Sequence, residues 1–116
     1  MLFRSVQRWL SIAAGELAHG PAAARLVALF GLPLDAVRAK SIAASLYGVL
    51  EAHLTAQHFL VGTAPTIADV ALYSYTARAP EGGVSLEPYP NLRAWLARIE
   101  ALPGFVAMPR STPKAA

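Results

Sequence analysis

At 116 residues, 55% of them hydrophobic and 15% charged, the chain is long enough for one buried core and too apolar for disorder to be its main state. It has no cysteine, which excludes a disulfide scaffold, a thiolate zinc site and a cysteine nucleophile. Its 10 basic and 7 acidic residues are scattered, with no Lys/Arg stripe, so they offer no footprint for a nucleic-acid backbone.

Alanine (24 residues) and leucine (16) dominate the sequence, while β-branched residues are sparse. The composition is therefore helical before any pattern is read. Charged residues and histidines such as Glu16, His19, Arg25, Asp35, Glu51 and His53 interrupt every long apolar stretch. No window is long enough to span a membrane.

The opening MLFRSVQRWLS carries Arg4 and Arg8 and no acid, the composition of an organellar presequence. Trp9, Ile12, Ala13 and Glu16 continue one helical period beyond any cleavage point, so the stretch reads as a first helix with a solvated arginine face. That helix is expected over residues 4–19, with Val6, Trp9 or Leu10, Ala13 and Leu17 on one face. Gly20-Pro21 is expected to interrupt it and residues 21–30 to restart it, because proline lacks the donor that a continuing helix needs. Gly31 and Pro33 then end the segment.

A second long helix is expected from Leu34 to Gln57, with Val37, Ile42, Leu46, Val49, Leu50, His53 and Leu54 as its stripe. Asp35 stands in its first turn, against the positive end of the helix dipole. Gly48 in its middle is either a close helix contact or a tolerated glycine. Residues 58–65 connect to a third helix that opens at Thr66 and runs to Ala79. Thr66 and Asp69 form a Thr-x-x-Asp capping box, in which each side chain accepts from a backbone N–H at the helix start. Residues 80–89 read as a loop. A last helix starts at Pro90, with Leu92, Trp95, Leu96, Ile99 and Leu102 apolar, and Pro103-Gly104 stops it. Phe105, Val106 and Met108 are expected to fold back onto the body. The fold class is all-α, a bundle of four to five helices over residues 1–108 with a flexible tail at 109–116.

The residues give little direct chemistry. His19, His53 and His58 lack the spacing and the acidic neighbours of a metal site, so no metal is expected. There is no G-x-S-x-G turn, and Gly82-Gly83 is a turn without the pattern of a phosphate loop. Trp9 and Trp95 read first as core anchors.

An ordered set of motifs goes further. F-L-x-G at 59–62 is followed by P-T-I-A-D-x-A-L at 65–72, Y-P-x-L-x-x-W-L-x-R at 89–98 and P-G-F at 103–105. This series resembles the C-terminal helical domain of bacterial glutathione transferases. VQRWLSIAAGEL at 6–17 resembles that domain's first helix, so the resemblance spans residues 4–109. It implies a GST C-terminal domain-like bundle in which Thr66 and Asp69 are a buried folding element. It also implies that the helices at 4–30 and 34–57 face a glutathione cleft and a homodimer partner, in a cytoplasmic enzyme with glutathione as co-substrate.

The family's thioredoxin-like N-terminal domain, which activates the glutathione thiol, has no counterpart in these residues. The expectation is therefore a helical half without transferase activity of its own. In the beta-class pattern W-L-x-x-x-A-x-E-L-H-K-G, the glutamate that reaches glutathione of the partner subunit falls on Glu16 and the lysine on His19. The family's histidine falls on Ala18. Glu16 and His19 are thus implied glutathione contacts, with a plain solvated helix position as the other role open to Glu16. Trp9, Ile12 and Tyr75 are candidates for the apolar co-substrate pocket, with core packing as the competing role of each. A non-enzymatic interaction module of the same fold and a degenerate fragment are the alternative readings.

Overall fold

Residues 2–110 are described by the computed structural model, and every regular element among them is helical. Helix α1 is Leu2–Ile12, a π-helical segment covers Ala13–Ala22, α2 is Ala23–Phe30 and α3 is Ala36–Leu54. After the connection come α4, Ile67–Ala77, a single 3-10 turn, Ala79–Gly82, and α5, Pro90–Glu100. Most of the tail expected at 109–116 lies outside the described residues. No helix among the described residues is long and apolar enough to cross a membrane.

The expected break at Gly20-Pro21 does not occur. Leu2–Phe30 is one uninterrupted helical rod whose middle turns are widened. In an α-helix a proline ring collides with the carbonyl four residues earlier. A π turn moves that carbonyl aside, and the Ala23 N–H bonds to the carbonyls of Ala18, five residues back, and of Gly20. The wider turn absorbs the proline that a uniform α-helix would reject.

Helix α3 is shorter than expected and begins at a cap. The Asp35 carboxylate accepts from the Arg38 N–H at 3.0 Å. Its buried face is Ala39, Ala43, Leu46, Tyr47, Leu50 and Leu54. Val37 and Val49, placed on the stripe by spacing, are 81% and 53% exposed. The small residues face inward because backbone approaches closely there. A Cβ on Gly20 would lie 2.9 Å from both the Ala43 nitrogen and Ile42 Cγ2. Gly82 is tighter still, since its Cβ would stand 2.6 Å from the Arg25 nitrogen of α2. Beside it, Arg25 Nε donates to Glu81 at 2.9 Å across a nearly buried ion pair. Gly48, the glycine offered for close packing, has open space around it.

The core is centred on Tyr47, Leu50, Leu72, Leu92 and Trp95, all fully buried. Beyond α5 the chain does fold back. The Phe105 ring meets Tyr73 edge-on with centroids 4.9 Å apart, and Arg78 donates from Nε and Nη2 to the Met108 carbonyl at 3.0 and 2.6 Å. Val106 is the exception in that stretch and points to solvent.

Because the Gly82 contact is backbone against backbone, Gly82→Ala is expected to cost about 1–3 kcal/mol through overpacking. Gly48→Ala, in an open helix interior, is expected to gain about 0.5–1 kcal/mol. Urea denaturation of the two variants checks both signs.

Candidate functional site

The start of α4 is the most heavily bonded point in the molecule. Thr66 is extended, and its hydroxyl accepts from the Ala68 N–H at 3.2 Å. Asp69 Oδ2 reaches back to the Thr66 N–H at 2.8 Å, closing the capping box. The other carboxylate oxygen, Oδ1, accepts from the Leu60 N–H at 2.9 Å and from Trp95 Nε1 at 2.8 Å. Asp69 is fully buried. Its charge is tolerated there because backbone, hydroxyl and indole donors converge on both oxygens. The box is thus a tertiary junction of loop, α4 and α5, and it is structural in the sense that the resemblance implies.

The junction continues through Leu60. Its carbonyl accepts from His53 Nε2 at 2.7 Å, which sets the proton on that nitrogen. The His53 ring lies 5.0 Å from the Trp9 ring of α1. From α3, Glu51 accepts from the Asn91 and Leu92 N–H groups at 3.1 and 2.9 Å. A carboxylate on one helix therefore caps the N-terminus of another, where Tyr89 gives no side-chain cap.

The residues named from the sequence as ligand contacts take different positions. Trp9 is 3% exposed and belongs to the core with His53 against its ring and the Arg8 guanidinium 5.7 Å from its centre. Ile12 is half-buried and packs on the same core. Tyr75, on α4, is 40% exposed and lies outside that cluster. Glu16 and His19 are both exposed on the π segment. His19 lines a groove between that segment and the start of α3, and Glu16 does not. In a π turn, residues three apart are splayed more widely than in an α turn, so the two side chains diverge. Among the described residues no group of histidines and acids is arranged to hold a metal ion.

Sequence reasoning missed Trp95 as a donor to Asp69, Glu51 as the cap of α5, and Arg38 and Leu26 as further groove residues. None carries a local signal, because each partner lies far along the chain or on another helix.

Tyr73 is buried, and its hydroxyl donates to Glu100 Oε2 at 2.5 Å. Burial first, then the hydrogen bond and charge of Glu100, push its phenol up from 10.0 to about 12.

The family model described as glutathione S-transferase, C-terminal domain, matches residues 35–103. This chain belongs to that family. Among solved structures it is similar to a glutathione S-transferase from Xanthobacter autotrophicus Py2, at 32% identity and a TM-score of 0.85, over 91% of this chain and 54% of that one. It is similar to a glutathione S-transferase from Pseudomonas fluorescens Pf-5 at 33% identity and 0.84, covering 90% and 55%. A possible glutathione S-transferase from Rhodopseudomonas palustris gives 26% and 0.83, covering 92% and 55%. The chain thus spans just over half the length of these neighbours.

Two measurements follow from this geometry. Asp69→Ala removes the cap and strands the buried Leu60 and Trp95 donors, so its expected cost is about 3–5 kcal/mol, above the roughly 1–2 kcal/mol of a lost cap. Chemical denaturation reads the difference. For Tyr73, the unfolded chain releases its proton from pH 10.0 and the folded one only near 12. The native state then holds more protons, and stability falls as pH rises across that window. Tyr73→Phe is expected to flatten that decline, seen in urea midpoints collected through the same window.

Proposed function

We propose that this chain is the co-substrate-binding and dimer-forming helical half of a glutathione transferase that conjugates glutathione to electrophilic apolar substrates, and that it is inactive alone. The observation that supports this best is the family match over residues 35–103, joined to a helical rod that leaves Glu16 and His19 open to a ligand. A carboxylate at Glu16 suits the γ-glutamyl ammonium of glutathione across a homodimer. Tyr75 is the exposed member of the apolar trio, so it is the one able to touch a co-substrate without disturbing the core. Activating the glutathione thiol requires a donor positioned at sulfur. In the family that donor sits in the thioredoxin-like half, which would pack with the helices at 4–30 and 34–57. The complete enzyme would work in the cytoplasm.

A second reading, a non-enzymatic interaction module, is favoured by a different observation. Phe30, Leu32, Leu34 and Val37 are exposed around the α2–α3 turn, and Ile67 and Val70 on α4. Apolar surface of this kind marks partner contacts.

The two readings separate in one set of assays. The chain alone, given glutathione and a chloronitrobenzene, is expected to show no saturable turnover, and turnover would overturn the inactivity. Fusing the first half of the Pseudomonas fluorescens transferase ahead of residue 4 is expected to produce conjugation. In that fusion Glu16→Gln should raise KM for glutathione with little change in kcat. A fusion that folds and dimerises without conjugating supports the module instead.

A further inference from the structure

A polar cleft lies where α3 ends against α5. Thr55, Ala56, Gln57 and His58 form one side of it, and Asn91 and Arg98 of α5 the other. It encloses about 210 Å³, below the roughly 300 Å³ at which pockets for drug-sized ligands begin. That space suits a small ion with its water. No carboxylate lines it.

Arg98 is the arginine of the W-L-x-R motif, and it is half-buried. Its Nε donates to the His58 carbonyl at 2.8 Å, which fixes the plane of the guanidinium. The two terminal nitrogens donate to no described residue. The acids at hand are spent elsewhere. Glu51, one turn before Thr55, gives both oxygens to N–H groups of α5, and Glu100 accepts the Tyr73 hydroxyl. Three and four residues from Arg98 along the chain stand Ala94, Trp95, Ala101 and Leu102, so no helical ion pair is open to it. The neutral donors of the cleft are also unfilled. The Gln57 oxygen accepts from the Gly62 N–H at 3.0 Å, which leaves its amide nitrogen as a donor. Asn91 Nδ2 spends one hydrogen on Thr55 Oγ1, at 3.3 Å, and keeps a second. The His58 ring bonds to no described residue. The Thr55 hydroxyl and N–H cover the Glu51 and Ala52 carbonyls, which blunts the negative end of the α3 dipole.

We propose that this cleft binds a phosphate group, as inorganic phosphate or as the end of a small phosphate monoester. The terminal nitrogens of Arg98 take two of its oxygens. Gln57 and His58 meet it from the other side of the cleft, and donors from several directions match a tetrahedral anion better than a planar carboxylate. The site needs neither Glu16, nor the groove at His19, nor a second domain, so it is independent of the transferase reading.

Sodium phosphate titrated at constant ionic strength into the ¹⁵N-labelled chain tests this through the backbone amides and the Arg98 Nε–H. The expected result is saturable shifts at residues 55–58, at 91–94 and at Arg98 Nε–H, with chloride and acetate about tenfold weaker or worse. Glycerol phosphate separates the two sources: saturation at these residues supports the site, and tighter binding than phosphate assigns it to a monoester. His58→Ala removes no bond that the fold uses and should weaken phosphate about three- to tenfold. Arg98→Lys keeps the charge without the fork and should lose about tenfold. Ala56→Asp sets a carboxylate on the exposed wall and should abolish saturation, whereas the neutral Ala56→Asn should keep it. The amide spectrum of each variant reports that the fold is kept. Non-saturable shifts, shifts spread over exposed arginines such as Arg4, Arg8 and Arg93, or affinity unchanged in Ala56→Asp or in both His58→Ala and Arg98→Lys would each overturn the proposal.

Discussion

A single buried carboxylate organises this bundle. Asp69 receives the Thr66 N–H and hydroxyl on one oxygen and the Leu60 N–H and Trp95 indole on the other. A buried charge is expensive unless its donors are all in place at once. The loop before α4, the first turn of α4 and the central aromatic of α5 therefore have to form together. Leu60 then carries the constraint onward. Its carbonyl holds His53 of α3, and His53 lies against Trp9 of α1. From α4, one acidic side chain is thereby linked to α5 by a direct hydrogen bond, and to α3 and α1 through two hydrogen-bonded steps and a ring contact.

The rest of the packing follows the same logic of satisfied ends and close backbones. Glu51 covers N–H groups that α5 leaves bare. Gly82 and the Arg25–Glu81 pair hold the 3-10 turn flat against α2. One place departs from the rule. The Tyr47 hydroxyl lies against that of Thr76 inside the core, and neither closes a hydrogen bond. Burial there drives the Tyr47 phenol well above its ordinary range. The edge-on contact of Tyr47 with Tyr89, 5.9 Å between centroids, supports the ring while its oxygen stays unpaired.

For function, the structure divides the residues that the sequence offered as ligand contacts. Trp9 and Ile12 belong to the interior, whereas Glu16, His19 and Tyr75 face outward. The π segment divides Glu16 from His19 as well, leaving the acid on open surface and the imidazole at the mouth of a groove. The rod is thus both a packing element and the element that presents polar groups. Its irregular middle is the place where the two roles meet.

The sequence by itself determined the helical class, the segment ends at Gly31, Pro90 and Pro103, and the Thr66–Asp69 box. Each of these is written within one or two turns of chain, where propensity, capping and proline geometry act locally. The motif series from 59 to 105 also made the family legible. The tertiary structure decided what no local rule reaches. Spacing put Val37 and Val49 inside and passed over Tyr47, because burial on α3 follows its neighbours. Proline at 21 reads locally as a break, and only the widened turn packed on α3 absorbs it. Gly48 and Gly20 look alike in sequence, yet only Gly20 meets another backbone. Asp69 finds Trp95 26 residues away, and Glu51 finds the start of α5 40 and 41 residues away. Such partners meet only once the chain has folded, so the sequence shows that a buried acid or an uncapped helix exists without showing what completes it.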